Sequence, residues 1–182
     1  SGNDGVKAII TRHLNGREKP RAILWLDEIA KMVAGGTSDL SGTTQAVLEQ
    51  FLFWTASRRV KGFLLAGVPG AGKSLTCQCT AGEAKCPLLR ASLSTVKGSL
   101  VGQSEANMKA MLKSVDAVAQ GRVLMLATCN SLDALTPEVM ARFNLGAFFY
   151  DYPTLEESKS IWTYYRKKYD LVGQAIPNKP NW

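Results

Sequence analysis

The sequence contains few of the residues that usually bind transition metals. Among 182 residues there is one histidine, His13, and there are four cysteines: Cys77, Cys79, Cys86 and Cys129. The cysteines lack paired C-x-x-C spacing, and two of them, Cys77 and Cys79, would point to different faces of a helix. We therefore expect reduced thiols of the kind found in cytoplasmic proteins, with metal binding as the weaker alternative.

Long apolar runs are also missing. No stretch approaches the roughly 18 apolar residues of a membrane span, and no signal peptide is recognisable, so we expect a cytoplasmic protein. The apolar share of 46% is ordinary for a soluble globular chain, whose length suits one domain with at most a small appendage. The net charge of +7 fits either a solvated basic surface or contact with nucleic acid or nucleotide phosphates.

A glycine-rich loop is the most informative feature of the sequence. Residues 67–74 read Gly-Val-Pro-Gly-Ala-Gly-Lys-Ser and fit the pattern G-x-x-x-x-G-K-[ST]. Residues 63–66 before the loop are apolar and strand-like, and residues 75–81 after it favour a helix. Glycines allow successive N–H groups to converge on an anion, and the helix N-terminus adds partial positive charge. The pattern predicts a phosphate-binding loop, and its context disfavours the alternative of a chance turn.

Each residue type in this loop has an expected role. Lys73 would reach the β- and γ-phosphates of a nucleotide, and Ser74 would ligate Mg²⁺. The residues predicted to contact the nucleotide are Pro69, Gly70, Ala71, Gly72, Lys73, Ser74 and Leu75.

Two further apolar segments lead to polar residues. Residues 22–26 are followed by Asp27 and Glu28, and residues 123–128 lead to Asn130. Both segments are typical of buried parallel strands, and ligands bind at the carboxyl ends of such strands. We predict that Asp27 holds Mg²⁺ directly or through water, that Glu28 polarises the attacking water, and that Asn130 orients this water or contacts the γ-phosphate. The alternative for each is an ordinary loop residue.

The rest of the chain alternates between helix and strand patterns. Helices are predicted at about 5–14, 44–57, 105–119, 138–142 and 154–169, and strands at 87–91 and 147–150. In the helix at 105–119 the inward residues would be Met108, Met111, Leu112, Val115 and Val118. Thr154 and Glu157 match a capping box. The predicted organisation is an N-terminal helix and linker (1–19), a nucleotide-binding core (20–170) and an irregular tail (171–182).

One arginine follows the short helix. Arg142 could lie at a subunit edge and reach the γ-phosphate held by a neighbouring subunit. The alternative is a surface salt bridge.

As a set, these segments resemble the classical AAA clade of the AAA+ ATPases over about residues 20–165. The similar segments are 63–74 (Walker A strand and loop), 22–28 (Walker B strand), 43–54 (the helix after Walker B), 101–105 (V-G-E-S-E), 127–130 (sensor 1) and 137–143 (arginine-finger segment). The resemblance implies a three-layer α/β sandwich of the P-loop NTPase type, with a five-stranded parallel sheet in the spatial order 5-1-4-3-2.

The resemblance also implies a function. It implies that the chain binds ATP and Mg²⁺, hydrolyses ATP, and acts in a hexamer-like ring of identical subunits that remodels a macromolecular partner. Arg142 of one subunit would complete the site of the next. A protein substrate fits this resemblance, whereas no DNA-reading motif supports a nucleic acid partner.

The order of the motifs departs from the family. Walker B precedes Walker A here, so that in family numbering the strands run 3, 1, 2, 4, 5. The family sheet can accept this order, because each altered crossover spans one extra strand, about 5 Å, and stays right-handed. We expect the acidic pair and the phosphate loop to fold side by side. The rearranged order resembles that of AAA+ sequences from phage genomes, and a natural and an engineered origin are both open at this point.

Three further departures bear on function. Leu100 stands where many family members carry a pore-loop aromatic, Gln103 replaces the first Glu of G-E-S-E, and no helical lid is recognised before Trp182. These departures keep two other functions open. One is a nucleotide-gated assembly module with little turnover of its own. The other, motivated by the charge of +7, is a nucleic-acid motor or loader.

Overall fold

A computed structural model describes residues 8, 11–12, 19–33, 42–92, 103–133 and 135–171. Most of the predicted helix at 5–14, Leu100, and the tail from residue 172 onward lie outside these residues. The chain divides into two compact units, Ser1–Tyr150 and Asp151–Trp182. The domain boundaries given above stay a prediction.

Five strands and six helices have bounds within the described residues, and Ala8, Thr11 and Arg12 are also helical. The strands are β1 (Ala22–Asp27), β2 (Lys61–Gly67), β3 (Leu88–Ser92), β4 (Val123–Cys129) and β5 (Gly146–Tyr150). The helices are α1 (Ala30–Val33), α2 (Gly42–Ser57), α3 (Lys73–Ala84), α4 (Gln103–Ala119), α5 (Pro137–Met140) and α6 (Leu155–Lys168). No helix in the described ranges is both long enough and apolar enough to cross a membrane.

The five strands form one parallel sheet in the order β3-β1-β4-β2-β5. The predicted fold class, an α/β fold with a five-stranded parallel sheet, is confirmed. β1 and β2 each pair with an opposite edge of β4, as the order 5-1-4-3-2 requires of family strands 3 and 1. If each strand takes the family number assigned above, the observed order becomes 2-3-4-1-5.

Side chains alternate between the two faces of the sheet, as the period of a strand requires. From β1, Leu24 and Leu26 are buried in a cluster that includes residues of α2 and α4. Ile23 and Trp25 are buried on the other face, in a cluster that includes residues of α3. By the same alternation Asp27, the last residue of β1, belongs to the α3 face of the sheet.

The apolar stripe of α4 differs in one position from the prediction. Met108, Leu112 and Val115 are buried, but Val118 is 42% exposed. The stripe continues at Ala119, which is 1% exposed. Residues three or four apart lie on the same face of a helix, and after Val115 the buried residue is four positions on and not three.

Helix α6 lies in the second unit and begins with a reciprocal cap. Thr154 Oγ1 accepts a hydrogen bond from the Glu157 backbone N–H at 3.3 Å, and Glu157 Oε2 accepts one from the Thr154 N–H at 2.9 Å. The predicted capping box is therefore confirmed. Basic residues occupy the last turn, where they favourably oppose the helix dipole.

Candidate functional site

The loop between β2 and α3 is shaped by three glycines. Gly67, Gly70 and Gly72 have φ angles of 136°, 80° and 94°, which residues with a Cβ rarely adopt. A Cβ at Gly67 would lie 1.9 Å from the carbonyl oxygen of Tyr150. At Gly70 and Gly72 a Cβ would meet no other described atom within 4 Å. The loop is thus fixed at its start and open beside its two later glycines.

Helix α3 begins directly after this loop. Its N-cap, Gly72, makes no side-chain capping bond, and the first turn contains no acidic residue. Ser74 and Leu75 are exposed in that turn, while Pro69 is exposed and Ala71 half-buried in the loop. The backbone N–H groups of a helix start that lack a capping side chain are suited to an anion.

Lys73 lies at the base of the loop and is 7% exposed. Its Nζ donates hydrogen bonds of 2.7 Å to the carbonyl oxygens of Gly67 and Val68. Burial lowers the pKa of Lys73, and the neighbouring Cys129 thiol opposes this shift. An ammonium group has three donors, so one remains for an anion after the two carbonyls are satisfied.

Asp27 ends β1 with both carboxylate oxygens engaged. Thr128 Oγ1 donates to Asp27 Oδ1 at 2.9 Å, and Arg90 Nη2 donates to Asp27 Oδ2. The Asp27 side chain is only 16% exposed. Its charge also acts on α3: burial chiefly, and then the Asp27 charge, raises the pKa of Cys77 to about 12. This carboxylate therefore faces the helix that follows the phosphate loop.

Glu28 adopts a left-handed backbone conformation, with φ 55°. Its N–H donates to Thr128 Oγ1 at 3.1 Å. Its carboxylate forms an ion pair with Lys31, three residues on, and is 44% exposed. Glu28 therefore lies beyond the strand tip as expected, and its carboxylate contacts α1. Its action on a water molecule stays a prediction.

The carboxyl end of β4 lies between the tips of β1 and β2. Thr128 contacts Asp27 through its hydroxyl, and Lys73 opposes the rise in the pKa of the Cys129 thiol that burial causes. Asn130 is exposed one residue beyond the strand. The tips of three strands thus converge, and the role of Asn130 stays a prediction.

Arg142 lies elsewhere in the first unit. Its carbonyl oxygen would be 3.3 Å from a Cβ on Gly62, near the start of β2. Gly67, where the phosphate loop begins, is five residues away along the strand, roughly 16 Å at the rise of a β-strand. The Nε of Arg142 is buried and has no hydrogen-bond partner within the described residues. A single chain therefore does not bring Arg142 to Lys73.

Two contacts at this site were not predicted from the sequence. One is the pairing of Arg90 with Asp27, which also places the guanidinium 4.6 Å from the ring centroid of Trp25. The signal was an arginine inside a short strand. The other is the hydrogen bond of 3.0 Å from the Tyr150 hydroxyl to Thr76 Oγ1, which ties the end of β5 to α3.

The residues of the site fit a nucleotide phosphate with Mg²⁺. Lys73 retains a donor, the loop backbone beside Gly70 and Gly72 is open, and Asp27 and Ser74 carry oxygen atoms of the kind that would bind Mg²⁺. No cluster of three metal-binding side chains of the His, Cys, Asp and Glu types occurs in the described residues. That is compatible with Mg²⁺, which commonly binds one or two carboxylates together with substrate phosphates.

One segment of the chain matches a known protein family. Residues 63–126 match "ATPase family associated with various cellular activities (AAA)". This segment contains the phosphate loop and ends within β4.

Curated relatives are similar over part of their length. The AAA domain-containing protein ycf46 of Guillardia theta is 26% identical over 148 residues, covering 59% of this chain and 29% of that protein. A spastin homolog of Caenorhabditis elegans is 29% identical over 130 residues, covering 65% and 25% respectively. The chain therefore spans less than a third of either relative.

Among solved structures, the FIGL-1 AAA domain in complex with ADP is similar at 16% identity. The TM-score is 0.43, with 78% of this chain and 61% of that chain covered. Taken with the phosphate loop, the family match over residues 63–126 supports an AAA ATPase domain in this chain.

Proposed function

We propose that this chain is the ATP-binding and ATP-hydrolysing core of an oligomeric machine. The observation that carries the proposal is the position of Lys73, whose buried ammonium lies at the base of an open glycine loop. This loop and Asp27 both follow the carboxyl ends of parallel strands, at the same end of the sheet. Phosphoryl transfer requires mainly positioning and charge neutralisation, and these groups can supply both.

Each site residue has a role in this proposal. Lys73 and the loop N–H groups bind the phosphates, while Ser74 and Asp27 hold Mg²⁺, which when bound neutralises charge on the phosphate oxygens. Glu28 accepts a proton from the attacking water, and Asn130 orients that water. For Glu28 to do so, its ion pair with Lys31 must open.

Arg142 acts in this proposal on a neighbouring subunit. Within one chain Arg142 lies too far from Lys73 to reach the phosphates bound there. An arginine that contacts the γ-phosphate would therefore have to come from a second copy. A ring of copies, resembling a hexamer, satisfies that need at every site. A protein partner would be remodelled by such a ring.

A steady-state ATPase assay tests the hydrolysis proposal. Lys73→Ala and Glu28→Gln should each lower turnover at least about 100-fold, the range usual for loss of a group that stabilises or activates in the transition state. Lys109→Ala and Glu49→Gln remove the same chemical groups from exposed positions on α4 and α2 and should leave turnover unchanged. If neither site variant lowers turnover, the proposal is wrong.

A second candidate is a nucleotide-gated assembly module with little turnover. The observation that favours it is the same absence of Arg142 from the Lys73 site of its own chain. Mass measurement with ATP, ADP and no nucleotide separates the two. Assembly with ATP and no turnover in the assembled species would support the module, and turnover that rises with assembly would support the ATPase.

The connectivity is proposed to be a rearrangement of the AAA+ sheet. The order 2-3-4-1-5 obtained with the family numbers is the family order 5-1-4-3-2 read from its other edge. A chain in which residues 20–60 are moved to follow residue 121 would restore the family order of motifs. It should fold and bind nucleotide with unchanged affinity, and loss of folding would argue against the rearrangement.

A further inference from the structure

Arg90 pairs with Asp27, but the proposed function gives Arg90 no role. In the register of β1 and β3, Trp25 lies opposite Arg90, and Asp27 lies opposite Ser92. The Arg90 side chain crosses the face of Trp25 and reaches Asp27 Oδ2. It therefore places a permanent positive charge beside the carboxylate that the proposed function assigns to Mg²⁺.

We propose that Arg90 is a resident counter-ion that competes with Mg²⁺ for the Asp27 carboxylate and thereby sets the Mg²⁺ concentration at which the site binds nucleotide. This inference rests on the proposed function. It makes Arg90 a positioning residue, because it acts through Asp27.

The charge of Arg90 and its hydrogen bond to Asp27 Oδ2 both support competition between Arg90 and Mg²⁺ for this carboxylate. Oδ1 of Asp27 accepts from Thr128 and Oδ2 accepts from Arg90, so a metal ion must share or take one of these oxygens. A divalent cation at the carboxylate would also stand beside the guanidinium, and two positive charges at close range repel each other. Mg²⁺ binding is therefore easiest once Arg90 has moved aside.

The Arg90 side chain has more room to move than the residues that it contacts. The Arg90 side chain is 58% exposed, whereas Trp25 is 3% exposed and Thr128 is 2% exposed. When the guanidinium leaves Asp27 it can keep its contact with the Trp25 ring, because stacking on an aromatic face holds a cation without a carboxylate. The cost of releasing Asp27 is thus lowered by a partner that stays in place.

The chain offers a matched control for the loss of one arginine. Arg58 forms an ion pair with Asp116 at 3.0 Å, with side chains 49% and 31% exposed. This pair joins the end of α2 to α4, and neither residue belongs to the proposed site. Arg58→Met removes the same charge and a similar ion pair as Arg90→Met.

The experiment is a Mg²⁺ titration of nucleotide binding, followed by the fluorescence of N-methylanthraniloyl-ADP with no turnover needed. Arg90→Met should lower the half-saturating Mg²⁺ concentration about tenfold, within the usual range of coupling between two sites. Arg90→Lys, which keeps the charge but loses the planar fork, should fall between Arg90→Met and wild type. Arg58→Met should leave the midpoint unchanged.

Two outcomes overturn this inference alone. They are a midpoint for Arg90→Met within twofold of wild type, and a midpoint that rises, which would mean that Arg90 orients Asp27 for the metal. Wild-type protein that binds no N-methylanthraniloyl-ADP, with or without Mg²⁺, would instead overturn the proposed function and this inference together.

Discussion

Gly67 lies against the backbone of Tyr150 so closely that a Cβ on Gly67 would be 1.9 Å from the Tyr150 carbonyl oxygen. The next residue strengthens this contact, because the Val68 N–H donates to the same oxygen at 3.1 Å. The start of the phosphate loop is thereby fixed to the end of β5.

Gly67→Ala should therefore destabilise the protein by at least about 3 kcal/mol, from backbone strain and displacement of β5. The control is Gly82→Ala within α3, where a Cβ meets no described atom within 4 Å. That change should stabilise the fold by roughly 0.5–1 kcal/mol, because alanine is the better helix former. Urea denaturation measures both. Equal effects of the two changes would contradict the close contact at Gly67.

Thr128 connects the two acidic residues, since its hydroxyl donates to Asp27 Oδ1 and accepts from the Glu28 N–H. Thr128→Val keeps the shape and removes both bonds, and should cost about 2 kcal/mol. Thr128→Ser keeps the hydroxyl and loses one buried methyl group, which should cost about 1 kcal/mol. The free energy of unfolding in urea gives both values. A valine variant at least as stable as the serine variant would show that the hydroxyl is dispensable.

The pKa of Cys77 is raised to about 12, mainly by burial. Its thiol thus stays protonated in the folded state at pH values where the unfolded chain ionises. This stability is present below pH 9, the ordinary thiol pKa, and is lost as pH rises toward 12. We expect the free energy of unfolding to fall in this window more steeply in wild type than in Cys77→Ala, by up to about 1.4 kcal/mol per pH unit. Parallel curves for the two proteins would exclude a buried protonated thiol.

The position of Arg142 leads to a mixing experiment. Arg142→Ala and Lys73→Ala should each be inactive alone, because each variant lacks one half of every site. In randomly mixed rings, about a quarter of the sites combine an intact Lys73 with an intact neighbouring Arg142. Turnover of an equimolar mixture should therefore reach roughly a quarter of the wild-type value. No recovery, in rings verified as mixed by mass, would place the role of Arg142 within its own chain or exclude one.

Much of the sheet could be predicted because buried parallel strands are continuous apolar runs. Ala22–Asp27 and Val123–Cys129 are such runs, and each strand was located to within a residue or two. The phosphate loop could be predicted equally well, because its glycines and lysine occur at a fixed spacing. Which strands are neighbours depends on pairing between distant segments. The expected order, in which β4 separates β1 from β2, therefore came from the family resemblance and not from a local pattern.

The side-chain contacts of the site were harder to predict. The pairing of Glu28 with Lys31 could have been anticipated, since residues three apart face each other on a helical turn. The pairing of Arg90 with Asp27 joins residues 63 positions apart. It follows only from the register of β1 against β3, which no local pattern contains. The exposure of Val118 likewise depended on where α4 meets its neighbours.

The place of β4 in the sheet has a mechanical consequence. Two consecutive residues at its tip serve different partners: Thr128 holds the carboxylate of Asp27, and Cys129 adjoins the ammonium group of Lys73. A displacement of this one strand along its axis would therefore disturb the acidic and the basic partner at once. Both charges of the site thus depend on the position of one central strand.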